Sequence, residues 1–161
     1  MGGKNPKPAS FPLSGEPHSS LMQIHGSCAA REGAGVLLLG PPGSGKSDLV
    51  LRLLDRGFAL VADDRVEIED GVAHAPPSLA GLLEVRGFGI VRVPHVAAVR
   101  LALVAELGIL PPRMPAPAWH PDLGLPLVQL DAAAVSAAAR IALALDCALG
   151  RVAQCAGAFV V

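Results

Sequence analysis

From residue 21 onward, short apolar runs alternate with glycine- and proline-bearing breaks, a pattern of many short strands with few helices between them. Leu21-Met22-Gln23-Ile24-His25 alternates weakly. Gly26 and the polar Arg31-Glu32-Gly33 then lead into the apolar run Val36–Leu39, which predicts a hairpin built from these two stretches. Leu49, Val50, Leu53 and Leu54 recur at helical spacing, and Gly57 supplies a C-terminal stop. The apolar Phe58–Ala62 that follows reads as a buried parallel strand, so strand, helix and strand form one βαβ unit. Val66-Glu67-Ile68-Glu69 and Val72-Ala73-His74 flank Asp70-Gly71, a strong hairpin turn.

Pro76-Pro77 ends that excursion. Leu82–Val91 predicts two extended pieces around the Gly87-Phe88-Gly89 bend, and Val99–Val104 another strand. The proline-dense stretch from Pro111 to Pro126, with Trp119 and His120 in it, reads as a surface loop. Leu127–Leu130 is a last strand, and Asp131 is placed to cap a helix running to about Leu149, with Gly150 behind it. Residues 1–20, with Pro6, Pro8, Pro12 and Pro17 and no period, read as a flexible leader, leaving 21–161 as one domain. The fold class expected is α/β, a mixed sheet with flanking helices.

Composition narrows the function classes. Apolar residues make up 52% of the 161 positions and charged ones 17%, enough to bury one sizeable core. A formal charge of −1 provides no basic field for nucleic acid, and arginine is not interleaved with aromatic residues. Cys28, Cys147 and Cys155 are odd in number and lack metal-ligand spacing, which fits buried thiols in a reducing cytoplasm. No apolar signal core stands at the N-terminus, and Arg100, Glu106 and Asp146 interrupt stretches that would otherwise approach membrane-spanning length.

Gly40-Pro41-Pro42-Gly43-Ser44-Gly45-Lys46-Ser47 spells a complete phosphate-binding loop between an apolar strand and a helical pattern. Its glycines let backbone N–H groups turn toward phosphate oxygens, Lys46 reaches the terminal phosphates, and the Ser47 hydroxyl suits Mg²⁺. Lysine occurs elsewhere only at Lys4 and Lys7, whereas arginine is used freely. ATP and Mg²⁺ are therefore the expected cofactors. Asp63 and Asp64, at the end of the strand after the first helix, are the expected carriers of metal-linked and proton-transfer chemistry. Two adjacent carboxylates resist ionising together, so they are expected to divide those roles. A strand-end acid this soon after the loop points to a phosphotransferase rather than a motor or switch.

Taken together, Gly40–Arg65, His25-Gly26 and Leu83-Glu84-Val85-Arg86-Gly87-Phe88-Gly89-Ile90 resemble the C-terminal catalytic domain of HPr kinase/phosphorylase. That family carries Arg-Gly, then Ala-Asp-Asp-Arg-Val, then Glu-Ile-Arg-Gly-Leu-Gly-Ile. Here the corresponding residues are Arg56-Gly57, Ala62-Asp63-Asp64-Arg65-Val66 and Glu84-Val85-Arg86-Gly87-Phe88-Gly89-Ile90. The resemblance implies the HPr kinase type of P-loop fold and ATP-dependent phosphorylation of a serine on an HPr-type phosphocarrier. It also implies reversal by inorganic phosphate, releasing pyrophosphate, and a homo-oligomer. Carried over residue by residue, it makes Asp64 the acid/base, Lys46 and His25 active-site residues, and Ser47 and Glu84 metal holders, with Asp63 in support. Arg86 is a phosphate or partner contact, or a counter-ion of Glu84.

The resemblance is to a short form expected to lack the family's separate N-terminal domain, and the chain departs from the family pattern in two further places. Between Ile90 and Val99 it is shorter than the long form. The family's late Arg-Pro-Gly-Arg-Asn segment has no counterpart after Leu125-Pro126, which leaves Arg113 as the loop cation nearest that part of the sequence. A small-molecule kinase and a nucleotide-binding sensor without transfer would use the same phosphate loop. Labelled ATP offered with HPr, and then with metabolites, separates the three.

Overall fold

The computed structural model describes residues 21–160; the expected leader, residues 1–20, lies outside them. Ten strands and two helices follow one another in the order β1 (Met22–His25), β2 (Ser27–Arg31), β3 (Ala34–Leu39), α1 (Lys46–Leu54), β4 (Ala59–Ala62), β5 (Arg65–Glu69), β6 (Val72–His74), β7 (Leu82–Val85), β8 (Gly89–Arg92), β9 (Val99–Leu107), β10 (Leu127–Leu130) and α2 (Ala137–Ala148). Eight strands form one mixed sheet in the order β1-β5-β6-β9-β3-β2-β4, with β10 also paired to β9; β7 and β8 form a separate two-stranded sheet.

Alternating side chains give the central strands two buried faces. Ala29, Val36, Leu38, Leu60, Leu103 and Ala105 face a core completed by Leu49, Val50 and Leu53 of α1 and Ile141 and Leu145 of α2. On the opposite face Cys28, Ala30, Leu37 and Val61 meet Val66 and Ile68 of β5 and Ala73 of β6. The sheet therefore folds back over itself, and β2, β3 and β4 lie between helices and the β1-β5-β6 arm. Only Gly26 separates β1 from β2, and only Asp63 and Asp64 separate β4 from β5, so both arms turn within one or two residues. A Cβ on Gly26 would sit 2.7 Å from the Leu38 carbonyl oxygen, which is why this crossing takes glycine.

The βαβ reading holds in direction, with one strand inserted. β2 runs antiparallel to both β3 and β4, so the two strands joined by α1 are parallel but not adjacent. The hairpin into the phosphate loop also exists, but its first arm is Ser27–Arg31 and not Leu21–His25, which instead pairs antiparallel with β5. Ser-Cys-Ala-Ala carries little apolar signal, yet small side chains suit a strand buried on both faces. The Asp70-Gly71 turn, the β7–β8 pair, the 111–126 loop and β10 fall where expected. β9 runs three residues past the expected Val104.

The last helix begins at Ala137, not directly after Asp131. Asp131 instead caps a single turn, its carboxylate accepting from the Ala133 N–H at 2.9 Å. Arg52 of α1 donates to the carbonyls of Ala132 and Ala134, holding that turn against α1 and away from the helical ladder. At the far end of the sheet, Arg31 pairs with Asp146 of α2 at 2.7 Å and lies over the Phe58 ring, tying β2 to the last helix. No helix of the described residues is long and apolar enough to cross a membrane.

Candidate active site

β3 ends at Leu39 against β9, and the chain then turns through the phosphate loop into α1. Gly40 is fixed by space as well as conformation: its φ is +157°, and an added Cβ would meet the Ser44 hydroxyl at 2.5 Å and the Leu107 carbonyl at 3.0 Å. Helix α1 begins immediately after Gly45 with no side-chain cap, so its first N–H groups remain free to receive an anion. The Lys46 ammonium lies over the loop, donating to the carbonyls of Gly40 at 2.7 Å and Pro41 at 3.0 Å.

The two adjacent aspartates occupy opposite environments. Asp63 is 7% exposed and is the hub of a polar cluster. One of its carboxylate oxygens accepts from Ser47 Oγ at 2.8 Å and from Ser27 Oγ at 2.9 Å, and the other from the Glu84 N–H at 3.3 Å. Asp64 points to solvent in a left-handed backbone conformation, φ +69°, that aspartate tolerates better than most residues. Its carbonyl accepts from the Gly26 N–H at 3.2 Å. The β1–β5 register sets His25 opposite Arg65, which leaves His25 Nδ1 3.9 Å from an Asp64 carboxylate oxygen, beyond direct hydrogen-bond length.

These groups share one cleft of about 550 Å³, whose lining includes Ser27, Lys46, Ser47, Asp64, Glu84 and Arg86. Every residue expected to act therefore lies in or beside it: Gly43, Gly45, Lys46, Ser47, Asp64 and Glu84 on its wall, Asp63 directly beneath Ser47, and His25 at Asp64. Pro42 lines it as well, while Gly40, Pro41 and Ser44 support the loop from behind. Ser27 is the member that sequence reading missed. Arg86 is exposed and makes no ion pair among the described residues, so it is not held by Glu84. Arg113 belongs elsewhere: it lines a separate groove between the 110–115 loop, α2 and residues 152–159.

The donor set fits a hard divalent cation. Ser47 donates to Asp63, and Glu84, whose N–H also donates to Asp63, lines the same cleft, so one hydroxyl and two carboxylates belong to neighbouring residues here. Mg²⁺ commonly takes one or two protein carboxylates and completes its shell with water and phosphate oxygens. No cluster of three His, Cys, Asp or Glu side chains that could hold a metal ion occurs among the described residues.

The HPr Serine kinase C-terminal domain family matches residues 17–101, just over half of the chain. HPr kinase/phosphorylase 1 of Oceanobacillus iheyensis is 47% identical over 75 residues, 44% of this chain and 24% of that protein. HPr kinase/phosphorylase of Peptoclostridium acidaminophilum is 45% identical over 92 residues, 52% of this chain and 30% of that protein. The matched part thus spans under a third of the length of these curated relatives. Among solved structures, the Hpr(Ser) kinase/phosphatase from Coxiella burnetii superposes with a TM-score of 0.63 at 24% identity, covering 77% of this chain and 87% of that one, which supports the fold.

Proposed function

This chain belongs to the HPr Serine kinase C-terminal domain family, and on that premise we propose that it transfers the γ-phosphoryl group of ATP to a serine of an HPr-type phosphocarrier protein. The observation that carries this reading is the division of labour between the aspartates. Asp63 is buried against the loop serine, and Asp64 is exposed on the rim of the same cleft. A nucleotide-binding sensor needs the first; only transfer to a hydroxyl needs the second.

In the proposed reaction the phosphate loop and the α1 N-terminus hold the nucleotide phosphates, and Lys46 moves from its loop carbonyls onto the terminal phosphate oxygens. Ser47, Asp63 and Glu84 hold Mg²⁺, which when bound offsets phosphate charge. The acceptor serine oxygen forms a bond to the γ-phosphorus as the bond to the β–γ bridging oxygen breaks. Asp64 takes the serine proton, and ADP departs. Transfer of this kind rests on positioning and charge stabilisation more than on covalent help from the protein. In reverse, an oxygen of inorganic phosphate bonds to the phosphoserine phosphorus as the serine O–P bond breaks, Asp64 returns the proton to the serine oxygen, and pyrophosphate is released. Arg86, rather than Arg113, is the second cation of this cleft and the residue we assign to that incoming charge.

Incubation with γ-labelled ATP, Mg²⁺ and HPr is expected to yield phosphoserine on HPr, and Lys46→Ala to abolish it while weakening ATP binding in calorimetry. Labelling of metabolites but not HPr, or of neither, would overturn the reading.

A further inference from the structure

The outer wall of the cleft carries a surface that phosphate chemistry does not require. Among the described residues β7 and β8 pair only with each other, in a register that sets Leu83 opposite Val91 and Glu84 opposite Ile90. Leu83, Val85 and Val91 pack against the helix-side core. The period of two then sends Glu84, Ile90 and Arg92 to the other face. Glu84 lines the phosphate cleft, so that face is continuous with it.

Two large apolar side chains stand there in water, Ile90 at 70% exposure and Phe88 at the turn at 79%. Turn tips ordinarily carry small or polar residues, and Phe88 lies between two glycines. Arg86 and Arg92 flank the pair, both exposed and neither in an ion pair among the described residues. Arg92 donates to the Ala80 carbonyl at 3.0 Å.

We infer that this face of the hairpin is the docking surface for the phosphoryl acceptor, and that it fits a folded protein presenting a serine beside an apolar patch with carboxylates at its edge. The inference rests on the kinase reading above. Cross-strand partners lie about 5 Å apart, which puts Ile90 within one side chain of the metal-holding Glu84. A group seated on Ile90 is therefore delivered to the cleft. The apolar area also continues past the strand ends to Phe88, farther than a small acceptor would need, and unpaired arginines beside it match an acidic rim.

The test is a calorimetric titration of HPr into the chain loaded with ADP and Mg²⁺, comparing wild type with Phe88→Ser/Ile90→Ser and with Arg92→Ala. Expected is a fall in HPr affinity of about tenfold or more for the double variant, the scale of losing a buried interface anchor. ADP affinity and melting temperature should stay as in wild type, and Phe88→Leu/Ile90→Val should restore binding. Phosphorylation assays should show the same loss as a raised KM for HPr with little change in kcat. HPr binding equal in wild type and double variant would overturn the docking site, as would an effect confined to self-association in sedimentation. If HPr binds wild type through this face but receives no phosphate, the kinase reading falls and the docking surface stands. If HPr is phosphorylated with no dependence on Phe88 or Ile90, the reverse holds.

Discussion

Asp64 owes its freedom to Asp63. The inner aspartate takes three donors and is almost wholly covered, whereas the outer side chain is exposed and makes no hydrogen bond among the described residues, which leaves it able to meet a hydroxyl. Asp64→Asn keeps the size and the tolerance for positive φ but removes the base. Expected are unchanged ATP affinity and a single-turnover rate of HPr phosphorylation lower by about two to four decades, the usual scale for a lost general base. Near wild-type transfer would move the role to Asp63 or His25. The sequence told that a pair of acids ended this strand, but not which was buried, because that depends on Ser27 reaching Asp63 from a strand 36 positions away. Serine in an unremarkable Gly-Ser-Cys-Ala run carries no local signal of such a partner.

At the level of elements, legibility followed periodicity and side-chain size. α1 declared itself through Leu49, Val50 and Leu53, all fully buried, and the 70–71 hairpin through its turn residues. β2 stayed hidden because a strand of serine, cysteine and alanine has no apolar alternation to read. The start of α2 was misplaced because an alanine-rich run satisfies helix propensity from Asp131 onward, whereas the Ala134 carbonyl accepts from the Ala137 N–H three residues on rather than four, and Arg52 donates to the carbonyls of Ala132 and Ala134. That contact links the helix behind the phosphate loop to the turn beside Gly45, where Ala132 lies against the loop. Arg52→Ala is expected to destabilise the fold by about 1.5–3 kcal/mol, the range for hydrogen bonds involving a charged group. Arg52→Lys should recover only part of it, since an ammonium lacks the planar fork. Urea unfolding of the three proteins checks the order; a variant as stable as wild type would show the turn is held by other contacts.

Across the whole molecule, the two cores place the thiols in a graded series. Cys28 is completely buried between the sheet and its folded arm, and burial pushes its thiol far above the ordinary range. Cys147 is half-buried, its thiol raised by burial and by Asp146, and Cys155 is exposed. Native protein is expected to react with a thiol reagent rapidly at Cys155, slowly at Cys147, and at Cys28 only as fast as the sheet opens. ATP with Mg²⁺ should slow the Cys28 step further, because a ligand that binds only the folded state lowers the open population. Rapid labelling of Cys28 in native buffer would show that the arm does not close over the sheet as described. The family motifs made this architecture readable as far as Ile90, just over half of the chain. The groove around Arg113 was not, since nothing local tells which way a proline-rich loop faces.

The one- and two-residue crossings at Gly26 and Asp63-Asp64 also bear on biosynthesis. By the time residue 64 leaves the ribosome the phosphate loop and both acids have been made, but Glu84 and the strand that holds β3 from its other side, β9, have not. Synthesis at about 5–20 residues per second leaves an interval of seconds in which the chain has a nucleotide loop without a finished cleft. Because the two aspartates are themselves the link between the sheet and its arm, they reach the positions described above only when the arm has closed. Under the proposed function, an unfinished chain would have no complete cleft in which to turn over ATP, and the onset of phosphotransfer would report that folding is complete.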